Sequence, residues 1–329
     1  MRAIICNKFG TFEELKFSTL PDPIPGPGQV VIRNTAIGVN YPDGLLVQGL
    51  YQCKPTFPFV PGIESVGEVI ALGEGVDSCR KGDKVAAVLQ IGQDAGSYAE
   101  QVVTSSKQLI HLGAKVNDAD GCALICAYST AHHALKQRAR LQPGETLAVL
   151  GASGATGLAA VEIGKVMGAQ VLAFASTPEK LALAKDHGAD QAVSYLEHDL
   201  CESLKKLTSG QGVDVVFDPV GGDSFDACSR SMAWNGRLLV IGFASGRIPK
   251  FPTNLALVKG FSVVGVFWGS FVRQQPHIYR ENMAELLGWY RTGKVRPHIA
   301  ATMPLSDAPK ALAQVFGRKS MGKIILDPR

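Results

Sequence analysis

The sequence predicts an α/β protein of two domains, one doubly wound on a parallel sheet and one built on a β-rich sheet or partly open barrel. Two observations carry this. Between residues 146 and 241 short apolar runs alternate with amphipathic ones, the pattern of parallel strands joined by crossover helices. Between residues 1 and 115 short strand-like runs are punctuated by Gly and Pro, and no long helical pattern separates them. A tight glycine turn, Gly151 to Gly157, joins the first apolar run of the alternating half to its first helix.

Taken in order, the chain opens on a strand, Met1 to Cys6. Further strands are expected at Val30 to Ile37, Ser65 to Leu72, Lys84 to Leu89 and Tyr98 to Val103. One short helix, Pro42 to Gln48, follows Asn40 as its cap. From Asn117 a helix runs from Asp118 to Ala139, broken near Tyr128-Ser129-Thr130. Strands at Thr146 to Leu150, Gln170 to Ala175, Gln191 to Ser194, Val213 to Phe217 and Gly236 to Ile241 then alternate with helices. The tail carries a strand at Phe261 to Phe267 and a helix at Pro276 to Thr292. A second helix is capped by Ser306, and a last strand is Gly322 to Leu326. The parallel domain is placed at 117–260, and the tail is expected to return to the first domain, giving it residues 1–116 and 261–329.

Composition narrows the function. Net charge is +4, from 33 basic and 29 acidic residues, and no basic run occurs, so nucleic acid is a poor partner. No apolar run reaches membrane-spanning length, and the N-terminus lacks a signal-peptide pattern, so a cytoplasmic protein is expected. The seven cysteines are odd in number and contain no C-x-x-C, which argues against a disulfide framework or a zinc site. They read as small apolar filler.

Strand, glycine turn and helix are what a pyrophosphate needs: glycines let the backbone approach, and the first-turn N–H groups and helix dipole face the anion. The fingerprint is incomplete, with Ala152 where a first glycine would stand before Gly154 and Gly157. An ordinary βα turn would read much the same. Ser153, Gly154, Ala155, Thr156 and Gly157 are the expected pyrophosphate contacts. An NAD site places Asp or Glu at the end of the second strand to bind the ribose 2′-hydroxyl. Here that strand ends Ala175-Ser176-Thr177, with Lys180 one turn later. Hydroxyl donors and a cation suit a 2′-phosphate, so NADPH is the expected cofactor, held by Ser176, Thr177 and Lys180. Ser176 as a plain helix cap and Lys180 as a solvated side chain are the alternative.

The chain resembles the zinc-free quinone oxidoreductase (zeta-crystallin-like) family of the medium-chain dehydrogenase/reductase superfamily. The resemblance rests on Asn40-Tyr41-Pro42-Asp43, Phe59-Val60-Pro61-Gly62-Ile63-Glu64, Gly82-Asp83-Lys84-Val85, Gly96-Ser97-Tyr98-Ala99-Glu100 and Gly151 to Gly157. Val216-Phe217-Asp218-Pro219-Val220-Gly221-Gly222, Gly242-Phe243 and Gly322-Lys323-Ile324 continue it, in order and spacing, over nearly the whole chain. It implies a GroES-like, partly open barrel for the catalytic domain, a Rossmann domain inserted before the tail, and an active site in a cleft. It also implies a homodimer, paired through a strand such as Phe261 to Phe267.

By family position, Tyr195 contacts the adenosine end, Gly242, Phe243 and Phe267 flank the nicotinamide, and Thr130 and Asn40 lie near it. Lys323 joins the cofactor contacts. Zinc-dependent relatives carry Cys at Asn40 and His-Glu after Gly62, where this chain has Ile63-Glu64. Neither Asn nor Ile is a soft or imidazole ligand, and Leu89 to Glu100 has no cysteine for a structural zinc lobe, so no metal is expected. None of the seven histidines has useful ligand spacing.

Without a Lewis acid, the chemistry left is hydride transfer from NADPH to an acceptor already electrophilic. A quinone is the leading substrate and an enone, alkenal or enoyl-thioester the alternative. Tyr51 is the first choice for holding the substrate oxygen or relaying a proton, with Tyr41 its rival and Asn40 beside it; each tyrosine also reads as an aromatic filling the cleft wall. Trp268 is placed near the acceptor, and a thioester of coenzyme A would draw on Arg273, Arg280 and Lys323 at the entrance. A reading of another class is a non-catalytic NADPH-binding protein with a structural or RNA-binding role.

Overall fold

The computed structural model describes residues 1–90 and 96–329. They form two units, Met1–Cys126 with Pro297–Arg329, and Ala127–Arg296.

The first unit opens with β1 (Arg2–Ile5) and β2 (Lys16–Thr19), paired antiparallel. Its main sheet begins at β3 (Gln29–Val39), whose apolar runs Val30–Ile32 and Ala36–Val39 are buried on both faces. α1 (Tyr41–Val47) follows directly, with Asn40 as its N-cap and Pro42 in its first turn, where the missing N–H costs nothing. β4 (Glu64–Leu72), β5 (Lys84–Val88), β6 (Gln101–Ser105) and β7 (Leu109–His111) complete this part of the sheet. α2 (Asp118–Ala123) is capped by the Asn117 side chain, which accepts from the Ala119 N–H.

The helix then continues without the break expected near residues 128–130. It widens into π-helical turns at Leu124–Tyr128 and Ala134–Ala139, which flank α3 (Ser129–His133). A run of small and apolar residues with no Pro or Gly after Gly121 has nothing to stop it. It ends at Arg140, in the left-handed conformation at φ 51°.

The second unit is the alternating half: β8 (Thr146–Leu150), α4 (Ala155–Val166), β9 (Gln170–Ala175), α5 (Pro178–Asp186), β10 (Gln191–Ser194) and α6 (Leu200–Leu207). Then come β11 (Val213–Asp218), α7 (Gly222–Ser229), β12 (Met232–Val240), α8 (Asn254–Lys259), β13 (Ser262–Gly265), α9 (Trp268–Gln274) and α10 (Pro276–Arg291). The strands lie parallel in the order β10-β9-β8-β11-β12-β13. That is the doubly wound Rossmann order, whose direction reverses between β8 and β11. Phe174, Phe217 and Phe225 are buried here, and Leu172, Val216 and Leu238 pack with Phe174 and Phe225 in one core.

The tail differs from expectation. β13 pairs in parallel with β12, and α10 lies in the same unit, so residues 261–296 extend the Rossmann sheet and do not return to the first unit. The boundaries therefore fall at Cys126/Ala127 and Arg296/Pro297, not at 116/117 and 260/261. The apolar run Phe261 to Phe267 predicts a strand, but which sheet it joins depends on pairing partners that periodicity does not show.

The chain returns to the first unit through β14 (Ile299–Pro304), α11 (Ala308–Phe316) and β15 (Lys323–Asp327). A single turn of tighter helix, Leu305–Asp307, precedes α11, so Asp307 and not Ser306 is its N-cap. β14 is parallel to β15 and β15 antiparallel to β3, giving the order β14-β15-β3-β4-β5-β7 with β6 also on β3. Ile37, Val39, Tyr98, Leu312, Ile324 and Leu326 pack in one core of this GroES-like sheet domain.

Candidate active site

The candidate dinucleotide site lies at the carboxyl ends of the parallel strands of the second unit. Gly151 leaves β8 at φ 58°, a left-handed conformation that favours glycine. At Gly157 a Cβ would stand 2.2 Å from the Gly151 carbonyl oxygen, so this glycine is required by helix–strand packing. Gly154 is different. Its φ is −75°, and a Cβ would meet only the Gly151 carbonyl oxygen, at 3.4 Å. The fold does not need a glycine there, but a close-approaching phosphate does. Gly154 is the N-cap of the twelve-residue α4, whose first N–H groups have no partner within the helix. Ser153 is buried, and Ala155 and Thr156 are half-buried in that first turn. The residues present fit a bound pyrophosphate.

Ser176 and Thr177 follow β9. The Thr177 hydroxyl accepts from the Lys180 N–H at 3.4 Å, capping α5, and Lys180 Nζ donates to Ser176 Oγ at 3.3 Å. The three residues predicted together thus lie together; Ala175, Ser176 and Thr177 carry no acid, and the nearby Glu179 carboxylate, in the first turn of α5, is engaged by the Thr177 side chain. Tyr195 follows β10, its N–H donating to the Ala175 carbonyl at 3.3 Å, beside the end of β9.

Across the switch point, Asp218 ends β11 and was not anticipated as a site-building residue. Its Oδ1 accepts from the N–H groups of Val220 and Gly221, both at 2.8 Å, and so shapes the turn beside the glycine loop. Burial pushes its pKa up to about 6, against the lowering effect of those two N–H groups. Phe243 lies over Gly221, where a Cβ would approach its ring to 2.9 Å, and Gly242 follows β12. Phe267 is half exposed after β13. Thr130 is half-buried on α3.

Trp268, expected near the acceptor, is packed into the core of its own unit. It is buried, its indole Nε1 donates to Ser129 Oγ at 2.9 Å, and its ring meets Tyr279 edge-on. A second unanticipated group is Glu162, buried on α4. It accepts from Tyr128 Oη at 2.7 Å and the Arg296 backbone N–H at 2.9 Å, and meets His187 Nδ1 at 2.6 Å. Glu162 anchors the helix behind the glycine turn; a single acid in the apolar run Leu158 to Ile163 was the only trace of it in the sequence. The adjacent histidines have separate structural partners: His132 Nε2 meets Glu285 at 2.9 Å, and His133 stacks on Phe271 at 3.8 Å. Burial lowers His132 to about 4.

The first unit supplies a buried polar cluster around Asn40. The Asn40 backbone N–H donates to Asp43 Oδ2 at 2.8 Å, and Tyr98 Oη donates to the same oxygen at 3.0 Å. Lys323 Nζ donates to Asn40 Oδ1 at 2.8 Å and forms an ion pair with Glu64. Lys323 is thus enclosed and is no entrance cation; Arg273 and Arg280 are exposed. Tyr41 stacks on Phe316 at 4.3 Å with an interplanar angle of 7°, and Tyr51 is half-buried in the turn after α1, its N–H on the Leu45 carbonyl. Among the described residues no group of His, Cys, Asp and Glu is arranged to hold a metal ion, and Asn40 and Glu64 converge on an ammonium. A zinc ion does not fit that pair. Residues 91–95, within the stretch expected to lack a zinc lobe, lie outside the described residues. No helix among the described residues is long and apolar enough to cross a membrane.

A GroES-like sheet domain and a Rossmann domain with a built pyrophosphate cradle define a nicotinamide-dependent oxidoreductase. Residues 26–114 match the alcohol dehydrogenase GroES-like domain, and residues 155–289 match the zinc-binding dehydrogenase domain. Quinone oxidoreductase-like protein 2 of Rattus norvegicus is 39% identical over 329 residues, covering 99% of this chain and 91% of that protein. A mycobacterial protein solved in complex with NADPH superposes with a TM-score of 0.93 at 30% identity, with 100% of both chains covered. The Escherichia coli quinone oxidoreductase, also solved with NADPH, gives 0.94 at 26% identity over 100% of both chains. The chain belongs to the quinone oxidoreductase family of the medium-chain dehydrogenase/reductase superfamily.

Proposed function

We propose that this protein reduces a quinone with NADPH, without zinc, and acts as a homodimer in the cytoplasm. The observation that carries the cofactor choice is the end of β9. There Lys180 reaches Ser176 Oγ where an NAD site would present a carboxylate. When bound, NADPH supplies the hydride. The chain's own residues then bind and orient: the first turn of α4 takes the pyrophosphate, and Ser176, Thr177 and Lys180 the 2′-phosphate. Family position assigns Gly242, Phe243, Phe267 and Thr130 to the nicotinamide and Tyr195 to the adenosine. Tyr51 and Tyr41 offer phenol groups to the acceptor. Zinc independence is supported by Lys323, whose ammonium takes both Asn40 Oδ1 and Glu64. The quinone assignment is supported by the relatives' names.

NADPH oxidation against a panel of simple quinones and α,β-unsaturated carbonyls, with NADH in parallel, tests this reading. A quinone turned over with a lower KM for NADPH than for NADH is expected. Preference for an enone, with the saturated product identified, makes the protein an alkene reductase. Tight NADPH binding without turnover of either class makes it a non-catalytic binding protein.

A further inference from the structure

Lys323 is 1% exposed and its partner Glu64 0% exposed. A buried ion pair of this kind gains little stability over an apolar pair of the same size, so its presence asks for another reason. The strand register shows how it is built. β3 lies between β15 and β4, with Gly38 opposite Ile325 on one side and Ile37 opposite Ser65 on the other. Glu64 and Lys323 therefore meet over Gly38, where a Cβ would stand 1.7 Å from Glu64 Oε1 and 2.8 Å from Lys323 Cε. Burial alone would lower the Lys323 pKa, but Glu64 beside it carries it above its ordinary value, so the side chain stays an ammonium.

The third partner is Asn40. An asparagine amide can ordinarily be turned over, exchanging its donor and acceptor ends. Here it cannot. Lys323 Nζ has only protons to offer, and it meets the amide at 2.8 Å, so the amide oxygen must face it. The NH2 group must then face the other way. Among the described residues its contact is with the Gly38 carbonyl, 3.5 Å away, at the limit of a hydrogen bond. Asn40 is half-buried, so its amide is not sealed into the core as Lys323 and Glu64 are.

We propose that Lys323 is a positioning residue that locks the Asn40 amide with its NH2 outward, making Asn40 an obligate donor to the carbonyl oxygen of the electron acceptor. This rests on the functional reading above and deepens it. When the acceptor takes up a hydride, its π electron pair moves onto that oxygen, and solvent supplies the proton that completes the reduction. A donor fixed in advance toward the developing charge stabilises it without reorganising. The same polarity selects the substrate class: a carbonyl or quinone oxygen is accepted, and a group that offers only N–H or O–H is not.

The test compares Asn40→Asp, Lys323→Met, Lys323→Arg and the double variant Glu64→Gln/Lys323→Met with the native enzyme. The double variant leaves no uncompensated buried charge. Asn40→Asp keeps the size of the side chain and a partner for Lys323 but removes the donor. For each, kcat with the best acceptor, NADPH Kd by fluorescence titration and melting temperature are measured. Asn40→Asp, Lys323→Met and the double variant are expected to lose about 100-fold in kcat. Their NADPH Kd should stay within about twofold, since a fixed donor to the acceptor contributes nothing to cofactor binding. Lys323→Arg, which keeps the donors facing Asn40, should restore most of the rate. Native kcat in folded Asn40→Asp overturns the proposal, as does a loss that falls on NADPH Kd with kcat kept, which would assign the donor to the cofactor. Should Lys323→Met fail to fold, Asn40→Asp alone decides. A native enzyme that reduces neither quinones nor enones defeats the functional reading itself, a result distinct from an active enzyme indifferent to Asn40.

Discussion

Asp43 lies inside the first unit with its charge poorly accommodated. Oδ2 accepts from the Asn40 N–H and from Tyr98 Oη, but Oδ1 is buried with no hydrogen-bond partner. Burial raises its pKa to about 7, Glu64 adds to the rise, and the Asn40 N–H, Lys323 and Tyr98 oppose it. The folded state therefore holds a proton that the unfolded chain releases near pH 4. That favours folding most below the unfolded value, and the advantage is lost as pH rises through about 7. We expect the native protein to lose about 4 kcal/mol of stability relative to Asp43→Asn between pH 4 and pH 8. Urea unfolding of both proteins across that range measures it, and parallel stability curves would assign Asp43 an ordinary acidity. At the same scale, Asn40 was legible as a helix cap. Its donor polarity was not, because Lys323 is 283 residues away in the chain.

At the scale of the element, the loop between β8 and α4 separates two uses of glycine. Gly157 is needed by the protein: an added Cβ would meet the backbone of Gly151 and Ala152, and neither can move aside as a side chain would. Gly154 has room for a Cβ, and we propose that its lack of one serves the pyrophosphate. Gly157→Ala should cost about 1–3 kcal/mol and lower the melting temperature. Gly154→Ala should melt like the native protein but bind NADPH at least tenfold more weakly. Thermal melts and fluorescence titration separate the two, and equal cofactor binding by native and Gly154→Ala protein would remove the phosphate from that turn. Strand, turn and helix here were plain in the sequence because an apolar run, a glycine turn and an amphipathic run are local signals. The π-helical turns at Leu124–Tyr128 and Ala134–Ala139 have no such local signal.

At the scale of the whole molecule, β13 is the edge strand of the Rossmann sheet. Trp234, 73% exposed, lies on Gly260, and Leu257 and Val258 on α8 are 82% and 75% exposed. An uncovered strand edge beside an apolar patch invites a partner strand, and a second copy of the chain supplies one with two-fold symmetry. Light scattering should give a mass near twice the 34.9 kDa of the chain, and a charged residue such as Val263→Lys on the edge should shift it toward one chain. A native monomer at working concentration would rule the dimer out.

The sequence by itself determined the two kinds of domain, the order of the Rossmann strands and helices, the glycine turn, and the acid-free end of β9. These rest on periodicity, turn chemistry and short spacings, which act between residues near one another in the chain. Only the tertiary structure decided which sheet the strand at 262–265 joins, because strand pairing has no local sequence signature. It also decided that Trp268 is core, that Glu162 ties His187, Tyr128 and Arg296 to the cofactor helix, and that Lys323 sets the Asn40 amide. Each of these joins groups distant in sequence inside a medium too poor in water to leave a charge or a donor unanswered, and that requirement exists only once the chain has closed around them.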